Sequence, residues 1–120
     1  MPKRTTPADA TPIRDDNVTM DGHLSHAASR AQARLKGNFP GLSLVVHSAD
    51  EWGTDDLALD RCKADIARGD IVIATMLFLD DHVRAVMPAL AARRNDCDAM
   101  VCCMSAAEVV KLTRVGKFDM

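Results

Sequence analysis

The sequence predicts an α/β fold, a doubly wound parallel sheet built from four strand-helix units. Three observations predict it. From Val18 onward, short apolar runs alternate with amphipathic stretches, the pattern of repeated strand-helix units. Two of those runs, Ile71–Ala74 and Ala99–Met104, are apolar at successive positions, as strands covered on both faces must be. With 120 residues, 48% hydrophobic and 27% charged, the chain has the composition of a single globular domain. A domain of this size buries roughly two-thirds of its unfolded surface, enough for stability without a disulfide or structural metal.

The first sixteen residues are rich in Pro, Thr and Asp and carry Pro2, Pro7 and Pro12; they read as a flexible tail, with the domain occupying residues 17–120. Val18–Met20 is a short strand. Asp21-Gly22 follows, then a helix whose Leu24, Ala27, Ala28, Ala31 and Leu35 recur at helical spacing until Gly37 and Pro40 stop it. Leu42–His47 alternates in polarity, as a less buried strand at a sheet edge would. Thr54 is placed to cap the next helix, Asp55 and Asp56 favour its dipole, and Gly69 closes it. After the central strand at Ile71–Ala74, Asp80 or Asp81 opens a helix with Val83, Val86, Met87, Leu90 and Ala91 facing inward, and Pro88 is expected to kink it. Ser105 and Glu108 form a capping box that starts a last helix running through Val109, Val110 and Thr113.

The alternating second strand and the continuous third and fourth give the order 2-1-3-4, a flavodoxin-like arrangement. A ligand would sit beyond the carboxyl ends of strands one and three, at Asp21, His23, Thr75 and Met76. One feature resists this order. Asp15-Asp16-Asn17 stands where the first half of a central strand should be apolar, and an unpaired buried carboxylate costs several kcal/mol. Either that strand is only Val18–Met20, or the first unit is poorly formed.

Composition and motifs exclude several functions. The formal charge of −2 and 3% aromatic residues argue against a nucleic-acid or anionic-membrane partner. The longest apolar run, Ile71–Leu79, is about half a membrane span, and no secretory signal is legible, so a cytoplasmic location with reduced cysteines is expected. Neither G-x-x-x-x-G-K-[ST] nor G-x-G-x-x-G is present, which leaves no phosphate loop for a nucleotide. His23 and His26 share a helix face, but no carboxylate or cysteine completes a metal set beside them. Cys102 and Cys103 point to opposite faces of a strand and cannot easily hold one ion; with Cys62 and Cys97 they read as small core residues. Met76–Leu79 carries the apolar run past the strand end, as helix packing or as an apolar lip for a flat ligand or neighbouring domain. No catalytic residue and no metal ligand emerges from the residues alone.

Several stretches resemble the amino-terminal domain of the large, porphyrin-binding H subunit of magnesium chelatase. They are Thr19–Leu24 (TMDGHL), Arg61–Arg68 (RCKADIAR), Asp70–His82 (DIVIATMLFLDDH), Cys97–Met100 (CDAM), Met104–Arg114 (MSAAEVVKLTR) and Gly116–Met120 (GKFDM). The resemblance implies a ligase that forms a nitrogen–metal bond by inserting Mg²⁺ into protoporphyrin IX, both as substrates of the intact subunit. ATP would be hydrolysed on a partner AAA+ subunit (I), with a companion D subunit, in the first committed step towards chlorophyll and bacteriochlorophyll. It implies no resident cofactor in this chain and no catalytic residue that maps onto it. The chain then reads as a fragment of a much longer subunit, inactive alone. Family members carry a longer apolar first strand where this chain has Arg14-Asp15-Asp16-Asn17. The rivals are a fragment of the related cobaltochelatase large subunit, and a free-standing flavodoxin-like binding module.

Overall fold

The computed structural model describes residues 11–22 and 25–119. β1 (Ile13–Thr19) leads to α1 (Ser25–Leu35), β2 (Leu42–Ser48) to α2 (Asp56–Arg68), β3 (Ile71–Thr75) to α3 (Asp80–Arg93), and β4 (Ala99–Cys103) to the single turn of α4 (Ala107–Val110). Two short strands, β5 (Arg114–Val115) and β6 (Phe118–Asp119), end the order. The sheet runs β2-β1-β3-β4-β5-β6. The first four strands are parallel, and the last two are antiparallel additions on the β4 side. The fold is therefore α/β, with the order 2-1-3-4 as its parallel part and β2 at the edge.

Right-handed crossovers decide where the helices lie. The chain steps one way from β1 to β2 and the other way from β2 through β3 to β4. This puts α2 and α3 together on one face, in mutual contact, and α1 alone on the other, against β2. The core follows from this asymmetry. Val18, Val72, Ala74, Met100 and Cys102 of the strands meet Cys62 and Ile66 of α2 and Val83, Val86 and Leu90 of α3, and all are buried. α1 buries no side chain, although its sequence carries an apolar stripe. That stripe is mostly alanine, and Leu35 remains 38% exposed.

Several expectations are corrected. β1 begins at Ile13, so residues 13–16 belong to the sheet rather than to a tail; residues 1–10 lie outside the described residues. The strand forms through Asp15-Asp16-Asn17 because both neighbours pair with it, Asp16 standing beside Val45 of β2 and Val72 of β3. Asp55, not Thr54, caps α2 by accepting the Leu57 N–H at 3.0 Å. Gly69 ends that helix at an ordinary φ of −70°. Its lack of a side chain matters for another reason: a Cβ would lie 2.5 Å from Asp16 Oδ2 and 2.8 Å from Val72 Cγ2. Ser105 does not cap α4, whose N-cap is Ala106 without a side-chain bond. The last helix stops at Val110, and Thr113 instead binds β4, its hydroxyl accepting from Cys102 N and donating to Cys102 O at 2.9 Å each. On α3, which opens at Asp80, Val83, Val86 and Leu90 are buried, but Ala91, expected to face inward, is exposed.

Candidate functional site

The carboxyl ends of β1 and β3 flank the point where the strand order reverses, and a loop there presents side chains outside the sheet. Of the four residues expected at this crevice, Asp21, Thr75 and Met76 lie at those strand ends and are half-buried. His23 lies outside the described residues. His26 is exposed on α1. Among the described residues, no group of three or more His, Cys, Asp or Glu side chains is placed to hold a metal ion.

On the β1 side the crevice is closely built. Asp50 N–H donates to the Met20 carbonyl at 2.9 Å, joining the loop after β2 to the end of β1. Thr19 and Ser48, paired in register, are both buried, and the Thr19 hydroxyl has no hydrogen-bond partner among the described residues. A Cβ on Gly22 would come within 3.8 Å of Ser25 Oγ and 3.9 Å of Ser48 Oγ, ordinary contact distances.

On the β3 side two loops are locked together. Met76 N–H donates to Met104 O at 2.7 Å, Leu77 N–H donates to Ser105 Oγ at 3.1 Å, and Ala106 N–H returns a bond to Leu77 O at 2.9 Å. The Ser105 hydroxyl donates to Cys103 O at 3.0 Å. Ser105 thus bridges two strand ends, which is why it is not available to cap α4. Both methionines at this junction adopt left-handed backbone conformations, Met76 at φ 59° and Met104 at φ 46°. Side chains other than glycine rarely accept that region, at a cost on the order of 1 kcal/mol or more each, so the cross-loop bonds hold a shape that neither loop would keep alone.

The locked loops anchor Leu77 in the core at 0% exposure and turn the next side chains outward: Phe78 is 56% exposed, Leu79 57% and Met104 69%. Three large apolar side chains so close together form a lip at the carboxyl edge of the central strands. Trp52 packs against the core, edge to face with His82 of α3 at a ring separation of 5.9 Å. Asp80 and Asp81 of the first turn of α3 follow directly in sequence. The lip itself offers apolar area, with two carboxylates directly after it in the chain.

A cluster of titratable groups lies on the α2 face of the sheet. Asp65 accepts from His47 Nε2 at 2.8 Å, Arg14 at 3.2 Å and Arg68 at 3.1 Å. Asp16, fully buried beside them, has no hydrogen bond to either oxygen among the described residues. Burial and then the Asp65 carboxylate push its pKa up to about 6, against the opposing pull of Arg14 and His47. Burial also pushes the Cys62 and Cys102 thiols up to about 12, so both are inert core groups. Cys103, read from the sequence as a core residue, is instead exposed, because it alternates to the face opposite Cys102. Of the run Met76–Leu79, read from the sequence as packing or as a lip, Leu77 packs in the core while Phe78 and Leu79 are exposed, and the partner loop was missed. Nothing local in Met104-Ser105 marks a bond to residues 28 positions earlier.

Comparison with known proteins gives this geometry a family. Residues 17–120 match the family described as a domain of unknown function, DUF3479. The chain is 44% identical over 103 residues to the magnesium-chelatase H subunit of Cereibacter sphaeroides, and 37% identical over 103 residues to that of Rhodobacter capsulatus. Each alignment covers 86% of this chain and 9% of the relative, so the chain spans only a small part of the length of the curated proteins it matches. Among the described residues no helix is long and apolar enough to cross a membrane. The chain belongs to the DUF3479 family, in the stretch that it shares with magnesium-chelatase H subunits.

Proposed function

We propose that this chain acts as the amino-terminal domain of an H-type magnesium-chelatase subunit, and that its lip forms one wall of the porphyrin site. The observation that supports this most is the 44% identity over 103 residues to an H subunit, across a stretch that includes the lip. In the intact assembly Mg²⁺ and protoporphyrin IX are substrates. ATP is hydrolysed on a separate AAA+ I subunit with its D companion, in the cytoplasm. The chain's own contribution is apolar contact: Phe78, Leu79 and Met104 suit the face of a planar macrocycle. With Asp80 and Asp81 adjacent, the macrocycle's propionates would point away from the lip. Desolvating Mg²⁺ takes grouped oxygen ligands around a held macrocycle, so the domain by itself should not insert the metal.

Trp52 is the only tryptophan, so its emission reports on one place. Titrating the purified chain with deuteroporphyrin IX should give saturable quenching, weakened about tenfold when Phe78 and Leu79 are both changed to Ser. Linear, non-saturating quenching would reduce the lip to packing. Mixed with I and D subunits, ATP, Mg²⁺ and porphyrin, the chain alone should form no magnesium porphyrin; turnover there would overturn the scaffold assignment.

A further inference from the structure

Parallel sheets occur almost only with both faces covered, because their central strands are apolar on both sides. Here α2 and α3 cover one face, while α1, alone on the other, packs on β2. What α1 leaves open is the surface of β1, β3 and β4. In register across it lie Asp15, Ile71 and Ala99, then Asn17, Ile73 and Val101. The four apolar members of these rows are partly exposed, and none belongs to the buried core. The first row continues into Val115 and Phe118, which are 42% and 58% exposed.

We propose that this open face is the seat of one amphipathic helix of about three turns, carrying an apolar stripe for Ile71, Ile73 and Val101 and a Lys or Arg for Asp15, supplied by the remainder of an H-type polypeptide. Strands about 4.8 Å apart make the β1-to-β4 span about 10 Å, the diameter of a single helix. Five-residue strands run about 17 Å, matched by roughly eleven helical residues. Asp15 sets the polarity of the guest. Its carboxylate accepts only a 3.3 Å bond from the Asn17 amide, and no cation pairs with it among the described residues. A second copy docking by this same face would set Asp15 on a surface whose rows carry Asp15 and no cation. Residues 1–10 contain Lys3 and Arg4 but also Pro2 and Pro7, with no apolar stripe to lay on isoleucine. The relatives carry the matched stretch as 9% of their length, so the bulk of such a polypeptide lies outside it.

The inference rests on the H-subunit reading, and its test separates the two. In the full chain with Cys103→Ser, Ile73→Cys places a thiol at the centre of the face, while Cys62, Cys97 and Cys102 stay buried. The probe is the Cereibacter sphaeroides H subunit expressed without its matched 103 residues. The free chain should sediment as a monomer and react rapidly with a maleimide. Adding the probe should slow that reaction at least about tenfold. Asp15→Asn should weaken the protection about fivefold and Asp15→Lys abolish it, with little change in the free chain's melting temperature. A thiol already protected in the monomer, or a concentration-dependent dimer that protects it, would overturn the inference in favour of residues 1–10 or a second copy. A complex that leaves the thiol reactive would overturn the inference alone. Absence of any complex would count against the H-subunit reading as well.

Discussion

The Asp16 carboxyl is wedged between the sheet and α2, its Oδ2 against Gly69 and the Asp65 carboxylate near by. No donor compensates its burial among the described residues, which makes the protonated form the stable one well above the ordinary carboxylate range. An unfolded chain releases this proton near pH 3.8 and the folded chain only near 6. Between those values the native state holds more protons, so stability falls as pH rises, and the loss is complete above the folded value. The difference amounts to about 3 kcal/mol. Asp16→Val removes it. In urea unfolding the variant's advantage over the native sequence should therefore be about 3 kcal/mol larger at about pH 7.5 than at about pH 3.5. An advantage independent of pH would show that hydrogen-bond donors reach the Asp16 carboxylate in the folded chain.

Asp16 also shows how far elements can be read from residue type. β3 and β4 are plain in the sequence because Ile71–Ala74 and Ala99–Cys103 are apolar at successive positions, and β2 because its polarity alternates as an edge strand's does. β1 was hidden by three polar residues, since a reading based on burial cannot anticipate a strand that accepts an unsatisfied carboxylate. β5 and β6 are two residues each, too short for any periodicity, and only Gly116 at φ 58° marks the tight turn between them. The candidate site divides in the same way. Thr75 and Met76 are legible as the end of an apolar run, whereas the bond from Met76 to Met104 depends on two strands being neighbours. Thr113 tests how the final hairpin is held. Its hydroxyl completes both backbone groups of Cys102, and Arg94 braces the hairpin through Asp119 and the Leu112 carbonyl. Thr113→Val leaves two buried backbone groups without that partner and should cost about 1–3 kcal/mol. Hydrogen exchange should locate the change at β4 and β5; a loss spread evenly over the sheet would mean that the hairpin is not an individual unit.

At the scale of the molecule, a core confined to one side of the sheet predicts a graded stability. β1, β3, β4, α2 and α3 share one buried cluster and should open together, so their amides should exchange only through global unfolding. α1 contributes no buried side chain, and its contact is with the edge strand β2. It can detach while the cluster stays intact, and its amides should exchange through a local opening of much smaller free energy. Two substitutions of the same type separate the regions. Leu90→Ala removes a side chain that is 0% exposed and should cost about 2–5 kcal/mol. Leu35→Ala, at a site 38% exposed, should stay within about 0.5 kcal/mol. Native-state hydrogen exchange over a denaturant series would measure both. If the α1 amides merged with the global unfolding isotherm, the helix would be part of the core and the sheet would be covered on both sides. If they stay separate, addition of a helix-bearing partner that fills the β1-β3-β4 surface should pull α1 towards that isotherm, because α1 would then gain a neighbour along its flank.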